Sequence, residues 1–229
     1  MRNNKPIIGI VARPDSDGKN NVLVIMESYR NAIIYSGGNP VMILPTQLVE
    51  YGSFSSKEVP AMSEEEKQML DEQLQFCDGI LMPGGLKRYE YDFYIANYCI
   101  ERDIPILGIC LGMQILATHI NRDALEFTEP KLSHNKPDID EVHFVKLDKG
   151  SKLFSIIGEE ELLVNSRHKQ KVTEAGSFKV VGISSDGVIE AIENINKKFA
   201  IGVQWHPENI MHKESSKKLF KKFIESARH

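Results

Sequence analysis

Short apolar runs alternate with amphipathic stretches along the first half of the chain. Ile7 to Val11 is a β-branched run bounded by Pro6 and by Arg13-Pro14-Asp15, which predicts a buried strand. From Ile25 to Ser36, apolar or small residues at Ile25, Tyr29, Ala32, Ile33 and Ser36 fall near helical spacing. The segment stops at Gly37-Gly38, a helix C-terminal signal. Val41 to Leu44 reads as the next strand, and Thr46 to Met62, without a period, reads as a surface loop. Ser63-Glu64-Glu65-Glu66 is a capping box that opens a helix to about Phe76. Asp78 to Met82 is a strand ending in Pro83-Gly84-Gly85. Tyr89 to Arg102 is helical, Ile104 to Ile109 is an apolar strand, and a helix follows from about Met113 to His119. Buried runs alternating with helices predict an open, mostly parallel sheet covered on both faces.

The second half changes character. Arg122 to Glu141 is polar, contains two prolines, and reads as a loop or excursion. Strands are expected at Val142 to Leu147, Glu161 to Asn165, Phe178 to Ser184, Val188 to Glu193 and Phe199 to Gln204. Asp186-Gly187 and Asn194 to Asn196 supply turn chemistry between the later ones. A last helix, Lys213 to Ala227, places Leu219, Phe220, Phe223 and Ile224 on one side and lysines on the other. With no internal repeat or linker, residues 1–229 are expected to form one domain.

Composition narrows the class. The 229 residues are 41% hydrophobic and 26% charged, ordinary globular usage. A chain this long buries around 70% of its unfolded surface, so it needs no disulfide or metal staple. A net charge of −4 gives no reason to expect nucleic acid or an anionic membrane as partner. The apolar run Pro6 to Ala12 is too short to span a bilayer and is not followed by a leader-cleavage pattern. Three cysteines without a Cys-x-x-Cys pair suit a reducing compartment, so a cytoplasmic protein is expected.

Candidate chemistry centres on Gly108-Ile109-Cys110-Leu111-Gly112, where a buried strand meets a helix. Gly-x-nucleophile-x-Gly at such a turn is a nucleophile elbow, whose glycines are required because side chains there would clash. A thiol at a helix N-terminus is favoured as thiolate, and the Leu111 N–H is free to donate to an oxyanion. The plainer alternative is a buried core cysteine. Cys77 and Cys99 have no comparable setting.

A thiol acting on an amide needs a base. Among seven histidines, His206 stands out in Gln204-Trp205-His206-Pro207-Glu208, directly after an apolar strand. Pro207 favours an extended His206, and in extended chain Glu208 points the same way as His206 and can steer the imidazole. A solvated Glu208 in a simple turn is the alternative. No metal is expected: His206 and His212 lack a third ligand and the cysteines are unpaired. Pro83-Gly84-Gly85 ends a neighbouring strand and should face the same crevice, where the Gly85 N–H can complete an oxyanion hole with Leu111; viewed alone, the loop is a plain tight turn. No phosphate-binding glycine loop is present, so no cofactor is expected.

These segments, with "IIGIVARP", "SYRNAIIYSGGNPVMILP", "PILGICLGMQIL", "VNSRHKQ" and "IGVQWHPE", resemble the class I glutamine amidotransferase-like superfamily nearly end to end. Within it the chain is most similar to the γ-glutamyl-γ-aminobutyrate hydrolase branch of cysteine peptidases, family C26. The resemblance implies an α/β, flavodoxin-like three-layer sandwich with a mostly parallel central sheet. It implies a triad of Cys110 as nucleophile, His206 as base and then acid, and Glu208 as orienting carboxylate, with Gly85 and Leu111 as oxyanion donors. Gln114, Asn165, Ser166 and His168 fall where such proteins line the glutamyl pocket. The implied reaction is hydrolysis of a small-molecule γ-glutamyl amide through a thioester. A homodimer is compatible with it. The chain departs from the branch at Leu111, where Arg is common, and at Lys87-Arg88, where an Asp is common. It departs also at Lys169, where a second histidine is usual, and at "INRDALEF", which lacks a double glycine. Lys87 and Arg88 would suit an anionic leaving group or form a solvated basic pair. The competing readings are a glutaminase subunit serving a separate synthetase, and a non-catalytic ligand-binding module on the same scaffold. A nucleic-acid surface at "RHKQK" (Arg167 to Lys171) is disfavoured by the net charge and the lack of interleaved aromatics.

Overall fold

The computed structural model describes residues 5–16, 19–49, 60–127 and 134–228. Its elements run β1 (Ile7–Val11), β2 (Arg13–Ser16), β3 (Asn21–Val24), α1 (Glu27–Tyr35), β4 (Asn39–Ile43), α2 (Glu64–Leu74), β5 (Gly79–Met82), α3 (Glu90–Arg102), β6 (Ile106–Ile109) and α4 (Leu111–Thr118). They continue with β7 (Leu125–Phe127), β8 (His143–Leu147), α5 (Lys152–Ile157), β9 (Glu161–Val164), β10 (Gln170–Val172), β11 (Lys179–Ser184), β12 (Ile189–Glu193), β13 (Ala200–Val203), a 3-10 turn (Pro207–Asn209) and α6 (Glu214–Ser226).

Nine strands form one sheet in the order β4-β1-β5-β6-β13-β12-β11-β8-β9. The first five are mutually parallel, and their sequence order is the flavodoxin-like 2-1-3-4-5. The remaining four join antiparallel as a wing. Direction reverses at each of those pairings, so β11 and β9 run with the parallel five and the sheet is mostly parallel. Strand alternation sorts the core into two faces. Ile8, Ile10, Leu107, Ile201 and Val203 pack with α1, α5 and α6, where Phe220 and Phe223 are fully buried. Val11, Ile80, Met82 and Ile106 pack with α2, α3 and α4. Each buried Phe, Ile or Leu contributes roughly 1.5–3 kcal/mol of transfer free energy. The result is a three-layer sandwich.

The expected capping box is present: Ser63 Oγ accepts from the Glu66 N–H at 3.2 Å, and Glu66 Oε2 accepts from the Ser63 N–H at 2.8 Å. The expected loop at Thr46 to Met62 lies partly outside the described residues, as does part of the Arg122 to Glu141 excursion. Three features escape a reading by periodicity. The β2–β3 hairpin contains Pro14 and a polar end, so it shows no alternation. Within the excursion β7 pairs with β10, three residues each, too short to carry a period. Helix α5 has only six residues and is set by its ends: Ser151 Oγ accepts from the Phe154 N–H, and Gly158 closes it at φ 82°. Among the described residues no helix is long and apolar enough to cross a membrane.

Candidate active site

Strands β5, β6 and β13 end side by side, and three chain segments leave their carboxyl ends into one crevice. The last pair of the β6–β13 ladder is Ile109 with Val203, and the Cys110 N–H donates to the Val203 carbonyl at 2.8 Å. Cys110 is then forced to φ 52° and ψ −105°, one of two non-glycine residues with positive φ among those described. Such a conformation costs on the order of 1–3 kcal/mol and persists only where the surroundings impose it. The flanking glycines show how. A Cβ on Gly112 would overlap the Met82 carbonyl oxygen, and one on Gly108 would lie 2.7 Å from Gly112 backbone. The turn therefore closes only with glycine at both positions. Leu111 opens α4, so its N–H has no partner inside the helix.

His206 follows β13 and precedes the 3-10 turn that Pro207 initiates. Its Nδ1 lies 2.7 Å from Glu208 Oε1, which also accepts from Asn209 Nδ2 at 3.0 Å. Burial opposes protonation of His206, but Glu208 and the Cys110 sulfur outweigh it and push the imidazole pKa up to about 10. Asn165, at the end of β9, grips the His206 backbone from both sides. Its Oδ1 accepts from the His206 N–H at 2.8 Å, and its Nδ2 donates to the His206 carbonyl at 2.9 Å. Gly84 lies against both His206 and Cys110: a Cβ there would sit 2.9 Å from His206 Cε1 and 3.6 Å from Cys110 Cβ.

The four residues expected to line a substrate pocket divide. Asn165 holds His206. Gln114 is buried and donates through Nε2 to the Gln170 carbonyl and to Gln204 Oε1, both at 3.1 Å, linking α4 to β10 and to the histidine segment. Ser166 and His168 are drawn away into a separate buried group. Ser166 Oγ donates to the His134 carbonyl at 2.7 Å, and His168 joins His134, His143 and Glu190, whose side-chain donor atoms all lie within 4.8 Å of one another. The expectation that no residues are arranged for a metal therefore meets a set of three imidazoles and a carboxylate.

The sequence matches the peptidase C26 family over residues 85–208. It is 30% identical over 260 aligned positions to the γ-glutamyl-γ-aminobutyrate hydrolase PuuD of Escherichia coli K12, covering 99% of this chain and 95% of that one. The chain belongs to the peptidase C26 family. This C26 protein is also 29% identical to the CTP synthase of Chlamydia caviae, over 68% of its own length and 35% of that enzyme's. Among solved structures, its fold matches the glutaminase domain of Trypanosoma brucei CTPS with bound acivicin (TM-score 0.67, 17% identity, 98% and 95% of the chains). It also matches a GMP synthase subunit of Thermoplasma acidophilum (TM-score 0.66, 15% identity, 97% and 94%).

Two side chains of the C26 site carry no motif. Tyr29, read from periodicity as a core position of α1, accepts from the Gly84 N–H through its hydroxyl at 2.9 Å, and the same oxygen lies 3.5 Å from His206 Nδ1. Burial, and then the charge of Glu208, raise its pKa far above the ordinary phenol value, so it stays neutral. Arg13, buried at the hairpin base, pairs with Asp92 and donates through Nη2 to the Pro83 carbonyl at 3.0 Å, which fixes the Pro83-Gly84-Gly85 loop from below. The only sequence signal for either is that a buried phenol or guanidinium must find a partner. Arg88 donates to Thr118 Oγ1 and to the Arg122 carbonyl, tying the loop to α4. In "RHKQK" His168 is buried, and Arg167 and Lys171 lie 3.9 Å from Asp140 and Glu126. Burial pushes the Cys77 thiol up to about 11 and raises Cys99 as well, as expected of inert core cysteines.

Proposed function

We propose that this C26 protein is a single-domain cysteine hydrolase that cleaves γ-glutamyl amides of small amines to glutamate and the free amine. The observation that carries the reading is His206 held 2.7 Å from Glu208 and pressed with Cys110 against Gly84, at the converging ends of three parallel strands. Full-length similarity to the E. coli γ-glutamyl-γ-aminobutyrate hydrolase supports the substrate class.

The Cys110 thiolate attacks the γ-carbonyl carbon, and the Leu111 and Gly85 N–H groups take the oxyanion. His206, protonated because its pKa is raised, gives its proton to the departing amine as the C–N bond breaks. A γ-glutamyl thioester on Cys110 and a neutral imidazole remain. Water then loses a proton to His206 as it attacks the thioester, and glutamate leaves as the thiolate–imidazolium pair re-forms. Glu208 holds the ring throughout and compensates its positive charge. Gln114, joined to both Gln170 and Gln204, supports the substrate side of the elbow.

The test is glutamate release from a panel of γ-glutamyl amines and glutamine by the isolated protein and by Cys110→Ala. Turnover of γ-glutamyl amines falling at least about 10⁴-fold in the variant supports the reading. A second reading, a glutaminase that passes ammonia to a separate synthetase, draws on the CTP synthase similarity and on Leu111 after the cysteine. Release from glutamine alone, and only in the presence of a synthetase partner, would select it. Slow turnover that survives loss of Cys110 would sink both.

A further inference from the structure

Behind the histidine segment, His134, His143 at the start of β8, His168 before β10 and Glu190 on β12 converge in the sheet's antiparallel wing. All four are nearly inaccessible, Glu190 completely so. Glu190 Oε1 lies 3.4 Å from His134 Nδ1, 3.6 Å from His143 Nε2 and 3.4 Å from His168 Nε2. These separations are too long for good hydrogen bonds. Neither oxygen of Glu190, nor His143 Nε2 or His168 Nε2, has a hydrogen-bond partner. Four donors bound tetrahedrally at about 2.0–2.1 Å from a zinc ion would stand about 3.3–3.4 Å apart; the three Glu190 contacts are close to that, and the four donor atoms together lie within 4.8 Å of one another.

The outer partners of the rings fix the tautomer that each neutral ring adopts. His143 Nδ1 faces the Phe144 carbonyl at 3.3 Å and His168 Nδ1 the Gln170 carbonyl at 2.9 Å. A carbonyl can only accept, so in both rings Nδ1 is protonated and Nε2 presents a lone pair to the centre. His134 Nε2 faces Asp186 Oδ2 at 3.0 Å, and Asp186 is itself fixed by a 2.5 Å hydrogen bond from Ser184 Oγ. His134 therefore donates outward to a carboxylate, and its Nδ1 faces Glu190 Oε1 at 3.4 Å with Ser166 Oγ 3.5 Å away, so the neutral ring turns a lone pair inward. With all three rings neutral, three lone pairs and a carboxylate oxygen point at one another, out of reach of bulk solvent. One shared proton would relieve one contact and leave the others repulsive, whereas a divalent cation satisfies all four. With Glu190 as ligand and Asp186 behind His134, a dication is matched by two negative charges. Imidazole ligands backed by a carboxylate or carbonyl are the usual outer shell of zinc histidines.

We propose that His134, His143, His168 and Glu190 bind one divalent transition-metal ion, zinc by ligand type, in a closed four-coordinate structural site. Its donors come from four chain segments. The Glu190 carbonyl accepts from the Gln204 N–H at 2.8 Å, and His168 lies three residues past Asn165, which grips His206. The ion thus braces the elements that hold the active-site histidine, while all its positions are filled by protein and none is open to substrate.

The experiment is metal analysis of the Cys110→Ala protein, which removes the active-site thiol as a competing ligand. Elemental analysis of the purified chain, then chelator treatment and titration with Zn²⁺ or Co²⁺, should give one equivalent per chain. The Co²⁺ form should show the intense visible bands of four-coordinate cobalt, and rebinding should raise Tm. Glu190→Gln and His143→Gln should lose stoichiometric binding, and Asp186→Asn should weaken it about 10–100-fold. Chelator-treated protein that stays folded by circular dichroism yet takes up neither ion would overturn the proposal, even if no variant folds. One cobalt equivalent bound unchanged by both ligand variants would overturn it too.

Discussion

His206 is half-buried and the three histidines beside Glu190 are buried, and their surroundings are built on opposite terms. His206 meets its partners at ordinary hydrogen-bond distance: Glu208 at 2.7 Å on the ring and Asn165 at 2.8 and 2.9 Å on the backbone. One reactive neighbour, the Cys110 sulfur, completes the set. Around Glu190 the contacts to the inward nitrogens are 3.4–3.6 Å long, while every outward nitrogen is satisfied. The first arrangement holds a proton with protein groups alone. The second is complete only with a cation. The same residue type serves both because its second nitrogen, and what that nitrogen bonds, decides which face is donor and which is lone pair.

Substitutions should separate the two centres. The largest effect on turnover short of losing Cys110 is expected from Glu208→Gln, which leaves His206 without a countercharge: kcat should fall about 10²–10⁴-fold, with metal content unchanged. A parallel fall in bound metal would break the comparison. The same variant tests the raised pKa of His206. Its folded value is about 10 against about 6.5 unfolded, so the linked stability is full below about pH 6.5 and is lost as pH rises through 10. In denaturant melts, the advantage of wild type over Glu208→Gln should therefore shrink steadily across that window. A constant gap would contradict the assignment.

Asn165→Ala lies between the centres. Losing two hydrogen bonds to the His206 backbone should cost about 1–3 kcal/mol, read mainly as a tenfold to hundredfold loss in kcat with KM little changed. Tyr29→Phe should have the smallest effect, about 1–2 kcal/mol in Tm-derived stability, because it leaves the buried Gly84 N–H without its acceptor. Rate and metal content should both change little.

Much of the site is legible in the chain alone. The elbow can be read because its glycines are demanded by backbone clash, a local requirement that leaves a local signature at Gly108 and Gly112. The His-Pro-Glu segment can be read because Glu208 reaches His206 across two residues. Ser166 and His168 belong by motif to the substrate pocket, yet they face the wing cluster. Lys87-Arg88 reads as either a ligand-facing or a solvated basic pair, whereas Arg88 donates to Thr118 Oγ1 and to the Arg122 carbonyl. In each case the neighbour that decides the role is distant in sequence.

By itself, then, the chain determined the alternation of buried strands and helices, the tight turn at Cys110 and the pairing of His206 with Glu208, since these depend on period, sterics and short spacing. Only the tertiary structure decided that a hydroxyl from α1 and a guanidinium from the first hairpin support the glycine loop. It alone decided, too, that His134, His143, His168 and Glu190 meet. His143 and Glu190 become neighbours only when β8, β11 and β12 pair, and no pattern within one segment records where another segment's side chains will point.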